Sequence, residues 1–219
     1  MGNELTILAN KYLTDKGTIY PEYHGYTDVY YKFWKDIKDD VKNVFEIGIG
    51  GEFPRTKHAG SHKMLRDFFT NAQIYGLDVS VSRLDESEKI IQYQCDQTHK
   101  DKLKDIFDKL EPMDILMDDG GHNTINQQIS FGFLFQYVKS GGMYIIEDLH
   151  TSVWGGWGLP ALDPNCSLNV LKRFIEIGKI ETPYMTEEEK EYLNENILSV
   201  EIFDIKGTNN DLTSIIKKK

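Results

Sequence analysis

Met113-Asp-Ile-Leu-Met-Asp-Asp-Gly-Gly-His122 and Gly142-Met-Tyr-Ile-Ile-Glu-Asp-Leu-His-Thr151 decide the reading of this chain. Each opens as a short apolar run of strand length and ends on acidic residues: Asp118-Asp119 in the first, Glu147-Asp148 in the second. If the two strands are parallel neighbours, three or four carboxylates and at least one imidazole meet at one edge of one sheet. Open α/β sheets bind ligands at that edge. A cluster of carboxylate oxygens suits a hard divalent cation such as Mg²⁺, and a neutral histidine suits proton abstraction near pH 7. The pair of motifs therefore predicts metal-assisted group transfer.

The flanking sequence supplies the sheet. Strands are predicted at Val44 to Gly48, Gln73 to Asp78 and Ile90 to Gln94, ahead of the two already quoted. Helices are predicted between them, from Ser61 (as its cap) to Thr70, from Lys100 to Leu110 with Leu103, Ile106, Phe107 and Leu110 on one face, and from Asn123 to Val138. Such alternation implies a parallel sheet with right-handed crossovers, an α/β fold. Two helices are expected first, at residues 4–14 and 26–40, joined by a polar, Tyr-rich connection over residues 15–25. The tail differs in kind. Helices are expected at Leu168 to Ile177 and Thr186 to Asn194, the latter opened by a Thr186/Glu189 capping box. An antiparallel pair, Ile197 to Ile205 and Leu212 to Lys217, follows.

Three earlier strand ends describe a nucleoside pocket. Glu46-Ile-Gly48-Ile-Gly50-Gly51 lets the backbone turn tightly beside a ligand, but position 53 is Phe, so the dinucleotide pattern Gly-x-Gly-x-x-Gly is not met. Asp78 is placed to accept from ribose hydroxyls, or merely to cap its strand. Asp96-Gln97 can meet an adenine edge, or cap a helix. Glu46, Gly48, Gly50, Ser61, Asp78, Asp96, Gln97 and Asp118 are the candidate cofactor contacts.

The 219 residues, 40% of them hydrophobic, suffice for one domain: a helical cap (1–42), a cofactor- and metal-binding core (43–150) and a substrate loop with the last strands (151–219). A net charge of -10 argues against nucleic acid as partner. Cys95 and Cys166 have no zinc or redox spacing and are expected to be reduced thiols. The opening Met1-Gly-Asn-Glu-Leu5 lacks a basic, apolar leader and no run approaches the roughly 20 apolar residues of a membrane span. A cytoplasmic location is the expectation, and a homo-oligomer is left open.

Read in order, Glu46-Ile-Gly-Ile-Gly50, Gly76-Leu-Asp78, Cys95-Asp-Gln97, Asp118-Asp-Gly-Gly-His122 and Gly142 to Thr151 resemble the class I S-adenosylmethionine-dependent methyltransferases. Within them the chain is similar to metal-dependent sugar O-methyltransferases of the mycinamicin and demethylmacrocin type, and Asp15-Lys-Gly17 with His24-Gly-Tyr26 also looks like that group. The similarity spans roughly residues 10–155. It implies a doubly wound, mostly parallel seven-stranded sheet, a Rossmann-like methyltransferase fold, with S-adenosylmethionine over the first strand ends. By the same resemblance Asp119, Glu147 and Asp148 ligate Mg²⁺ and His122 is the base. The family often has Ser where this chain has Gly121, and the Glu52 to Gly60 insert departs from a short phosphate-binding turn.

The acceptor implied is a sugar hydroxyl, carried by a nucleotide, a surface-polysaccharide precursor or a glycosylated metabolite. His24, Tyr26, His150, Trp154 and Trp157 are its candidate contacts, with the two indoles able either to pack on a sugar ring or to fill the base of the C-terminal lobe. Rival readings are a catechol-type O-methyltransferase, a non-catalytic metal- and nucleoside-binding protein, and a hydrolase using the metal to activate water. In the bland alternative Asp118 to Gly121 is an ordinary turn and Glu147-Asp148 a helix cap.

Overall fold

A computed structural model describes residues 2–19, 23–49, 59–80 and 89–219. Two compact units emerge, residues 1–96 and 97–219.

In the first unit, helices α1 (Glu4–Tyr12) and α2 (Thr27–Trp34) precede β1 (Asn43–Ile47), α3 (Gly60–Phe68), β2 (Gln73–Asp78) and β3 (Ile90–Gln94). The strands are parallel in the order β3-β2-β1, with Phe45 opposite Tyr75 and Asp78 opposite Gln94. Asn3 caps α1 by accepting from the Thr6 N–H at 2.9 Å. Tyr26, Tyr30 and Trp34 recur every four residues, which puts them on one helical face, and all three are fully buried. Tyr30 stacks on Trp34 at 4.9 Å, and Trp34 meets Phe69 at 5.3 Å. Burial of one such ring contributes about 1.5–3 kcal/mol.

The second unit holds α4 (Lys100–Phe107), β4 (Met113–Asp118), α5 (Thr124–Leu134) with a 3-10 turn (Phe135–Tyr137), β5 (Val138–Ile146) and α6 (Thr151–Trp154). It continues with α7 (Ser167–Ile177), α8 (Glu187–Asn196), β6 (Ile197–Asp204) and β7 (Leu212–Lys218). Strands β4 and β5 are parallel, Asp118 lying opposite Ile146, so the two acidic motifs leave neighbouring strands at the same level. Strand β7 is antiparallel to both β5 and β6. Every residue of β4 is buried, as a near-continuous apolar run requires. Lys218 fastens the last strand, its buried Nζ donating to the carbonyls of Phe135, Gln136 and Val138.

Among the described residues, seven strands in the orders β3-β2-β1 and β4-β5-β7-β6 make the expected mostly parallel set with an antiparallel C-terminal pair. Helix ends differ from expectation. Helix α2 stops at Trp34 and the chain continues in turns to Asp40, whereas a helix to residue 40 was expected. Helix α5 ends at Leu134 and tightens into the 3-10 turn, and the one-turn α6 has no sequence signal. Ser61 does not cap α3: Ala59 holds that place in a left-handed conformation, without a side-chain bond. The Thr186/Glu189 capping box is present. Cys95 and Cys166 are buried free thiols, and no described helix is long and apolar enough to cross a membrane.

Candidate functional site

In the first unit the end of β1 is built around Glu46, which is fully buried. Ser61 donates its hydroxyl to Glu46 Oε2 at 2.7 Å, and His62 Nδ1 lies 3.2 Å from the same oxygen. Lys16, itself 1% exposed, sets its ammonium 3.4 Å from Oε1. Burial, reinforced by the Lys16 charge, drives the pKa of His62 down to about 3, so the imidazole is neutral. Its Nε2 lies over Gly76, where a Cβ would stand 2.4 Å away. A β2 residue with any side chain would collide with it.

Past β1 the backbone turns at Gly48, φ 92°, a region that favours glycine. Gly48 donates to the Leu77 carbonyl at 2.8 Å, and Ile49 donates to Asp78 Oδ2 at 2.8 Å. Asp78 Oδ1 takes the Ser80 N–H at 3.0 Å. Asp78 thus fixes the turn after β1 as well as its own strand end. Asp96 is half-buried just past β3. Gly50 and residues 52–58 of the insert lie outside the described residues, as do residues 20–22 of the Tyr-rich connection.

Tyr26 departs from its expected place. It was a candidate acceptor contact, but it is fully buried against Tyr30 and against His24, whose ring stacks on it at 5.1 Å with 9° between planes. His24 is half-buried and its N–H donates to the Asp15 carbonyl at 2.7 Å.

In the second unit the loop after β4 is held from inside. Asp118 is 1% exposed and takes hydrogen bonds from Gln97 Nε2 at 3.1 Å, the Gly120 N–H at 3.3 Å, the Tyr144 hydroxyl at 3.4 Å and the Ser130 hydroxyl. Burial lifts its pKa to about 6 in spite of those donors. Gln97 also receives the Gly121 N–H on Oε1 at 2.7 Å. Both ends of its amide are therefore engaged within the unit, not turned out to an adenine edge. Nothing in the sequence marked Ser130, an unremarkable serine within a helix, nor the buried His62, and Lys16 stood out only as part of Asp15-Lys-Gly17.

Residues after β4 and after β5 meet in a titratable group. Asp119, His122 and Asp148 each offer a ligand atom, all within 4.8 Å of one another. His122 Nε2 is 3.2 Å from Asp148 Oδ2, and His122 Nδ1 is buried with no hydrogen-bond partner. Two carboxylates and an imidazole so grouped fit a divalent cation. Glu147 lies outside that group of three although it was expected within it. It is 1% exposed, its N–H on the Asp118 carbonyl and its own carbonyl on Gln127 Nε2. Glu147 directly follows β5 and is buried there, and the next residue, Asp148, has a left-handed backbone, φ 54°.

His150, 4% exposed, sits 3.9 Å from Asp148 Oδ1 and packs on Trp154 at 4.4 Å. Trp157 meets His122 edge-on at 6.1 Å. The indoles themselves are 54% and 44% exposed, so they do not fill the lobe's base. Their loop is tied down by Trp154 Nε1 on Asn210 Oδ1 and by the Thr124 N–H on the Trp157 carbonyl.

No family model matches the chain. It is 34% identical over 205 residues to mycinamicin VI 2''-O-methyltransferase of Micromonospora griseorubida, covering 91% of this chain and 50% of that protein. It is 33% identical over 176 residues to demethylmacrocin O-methyltransferase of Streptomyces fradiae, covering 79% of this chain and 44% of that protein. The MycE methyltransferase of the mycinamycin biosynthetic pathway, solved with Mg, SAH and mycinamycin VI, matches with a TM-score of 0.81 at 30% identity over 99% of this chain and 54% of its own. The chain spans about half the length of the curated relatives it matches. By sequence and by fold it belongs to the class I S-adenosylmethionine-dependent methyltransferases, alongside the sugar O-methyltransferases of the mycinamicin and demethylmacrocin type.

Proposed function

We propose that this chain transfers a methyl group from S-adenosylmethionine to a hydroxyl of a sugar borne by a small molecule, with Mg²⁺ as helper. The observation that carries the reading is the grouping of Asp119, His122 and Asp148 at the ends of two adjacent parallel strands. Asp119 and Asp148 would hold the cation, with Glu147 the neighbouring carboxylate. When bound, the cation supplies Lewis acidity toward oxygen.

His122 accepts the proton that the acceptor hydroxyl loses as its oxygen bonds to the methyl carbon. The electron pair of the broken carbon–sulfur bond stays on sulfur. Asp148, 3.2 Å from Nε2, stabilises the imidazolium that results. Glu46, Gly48, Ser61, Asp78 and Asp96 are the residues proposed to form the cofactor's side of the reaction, together with Gly50. Tight engagement of Glu46 and Asp78 by neighbouring groups fixes their carboxylates before any ligand arrives, which reduces the ordering that binding costs.

The acceptor class rests on the exposed faces of Trp154 and Trp157 beside the two histidines. Indole faces pack well on the C–H faces of a sugar ring, and the relatives' names point to glycosylated metabolites rather than polysaccharide. The test is methyl transfer from labelled S-adenosylmethionine with Mg²⁺ to a panel of glycosylated small molecules, nucleotide sugars and catechols. Label on a glycoside hydroxyl is expected, with a higher KM in Trp157→Ala. Transfer to catechols alone would overturn the sugar assignment.

A further inference from the structure

We propose that Gln97 is a positioning residue for the metal-binding loop, an inference that rests on the metal reading above. A single side chain grips that loop at both ends. Gln97 Nε2 donates to Asp118 at 3.1 Å and to Ser130 Oγ at 3.2 Å, while Oε1 accepts from the Gly121 N–H at 2.7 Å. Asp119 lies between the two gripped residues and His122 directly follows them. Gly120 and Gly121 would otherwise leave this stretch with the broad conformational freedom of glycine, and Gly121 brings no side chain of its own to anchor it.

The amide is 6% exposed, so each of its polar atoms must find a partner inside the protein. The geometry gives each one, and all the partners lie on β4, its loop or α5. Ser130 completes the clamp from α5 by presenting its hydroxyl to Asp118 Oδ2. Removing the amide's hydrogen bonds would loosen the stretch at Gly121 and weaken the hold on Asp118, while leaving Asp119, His122 and Asp148 chemically unchanged. The loss would therefore appear in how well these ligand atoms are held together, and not in the residues that hold the nucleoside.

The experiment compares wild type with Gln97→Met, which keeps the volume and loses the hydrogen bonds. Mn²⁺ affinity is read by electron paramagnetic resonance, SAH affinity by calorimetry, and fold by circular dichroism. Partners that orient metal ligands are worth roughly 10–100-fold in metal affinity, so the Mn²⁺ Kd is expected to rise by about that factor while the SAH Kd stays within about two-fold. The opposite split, with SAH weakened and Mn²⁺ unchanged, would show Gln97 to be a nucleoside contact and overturn the proposal. If Gln97→Met does not fold, Ser130→Ala stands in: a higher Mn²⁺ Kd with unchanged SAH binding is expected, and an unchanged Mn²⁺ Kd overturns the proposal. A wild-type protein that binds SAH but no Mn²⁺ would overturn the metal reading itself, and this inference with it.

Discussion

His122 Nε2 stands 3.2 Å from Asp148 Oδ2, and Asp148 reaches that position through a left-handed backbone, φ 54°. A non-glycine residue held so costs on the order of 1 kcal/mol or more, and such strain concentrates where geometry serves function. Asp148 is placed for two roles. It offers a ligand oxygen to the group of three and it faces the imidazole that is proposed to take the acceptor's proton.

Replacement of His122 separates those roles. His122→Ala is expected to lower kcat by on the order of 10²–10⁴ while leaving the SAH Kd nearly unchanged, since the residue belongs to the second unit's loop and not to the turn after β1. Single-turnover kinetics with calorimetry checks it. A kcat unchanged by the substitution would move the base to another group.

The neutral His62 makes a pH prediction. Its pKa in the folded chain, about 3, lies below the ordinary 6.5, mainly because burial disfavours the charged ring and secondarily because Lys16 repels it. The unfolded chain thus binds the extra proton first, so stability is fully present above pH 6.5 and is lost as pH falls from there toward 3. Between pH 7 and pH 5 the loss from this group is on the order of 2 kcal/mol. Urea midpoints should show that loss in wild type and a flatter profile in His62→Gln. Parallel profiles would contradict it.

Gly76 is predicted to be intolerant of any side chain. A Cβ there would stand 2.4 Å from His62 Nε2, and His62 is fully buried with its Nδ1 3.2 Å from Glu46, so the ring must shift to admit it. Gly76→Ala should destabilise by about 1–3 kcal/mol, the usual cost of overpacking a core. The joint variant Gly76→Ala with His62→Ala should recover part of that loss in the same urea measurement.

Most strands were legible as short apolar runs bounded by polar or glycine residues; β2 and β3 match their expected limits at both ends, whereas β5 begins at Val138, ahead of the expected Gly142, through the polar Lys139-Ser140. The acidic ends of β4 and β5 were legible for the same reason, since strand register put them level. What sequence could not give was direction. Asp118 and Asp119 are neighbours, yet one turns inward to Gln97 and Ser130 and the other joins the cluster. Of Glu147 and Asp148, Asp148 is the one in the group of three. Gln97 read as a ligand contact because a polar residue after a strand looks available, and only the packed structure shows its amide engaged at both ends. Lys16 belongs to the Asp15-Lys-Gly17 motif, but nothing local says that a lysine in a polar connection will end 1% exposed against Glu46.

Divalent-metal-dependent methyl transfer through the proposed ligands Asp119 and Asp148 is checked by assaying transfer from S-adenosylmethionine to a glycoside acceptor with chelator, then with Mg²⁺ restored, in wild type and in Asp148→Asn. Asn tolerates the left-handed backbone that Asp148 adopts, so the variant should fold while losing the charge. Wild-type activity should vanish with chelator and return with Mg²⁺, and Asp148→Asn should stay at least about 10²-fold lower at the same Mg²⁺ concentration. Full wild-type turnover in excess chelator, or wild-type rates in Asp148→Asn, would rule out metal-dependent transfer through these carboxylates.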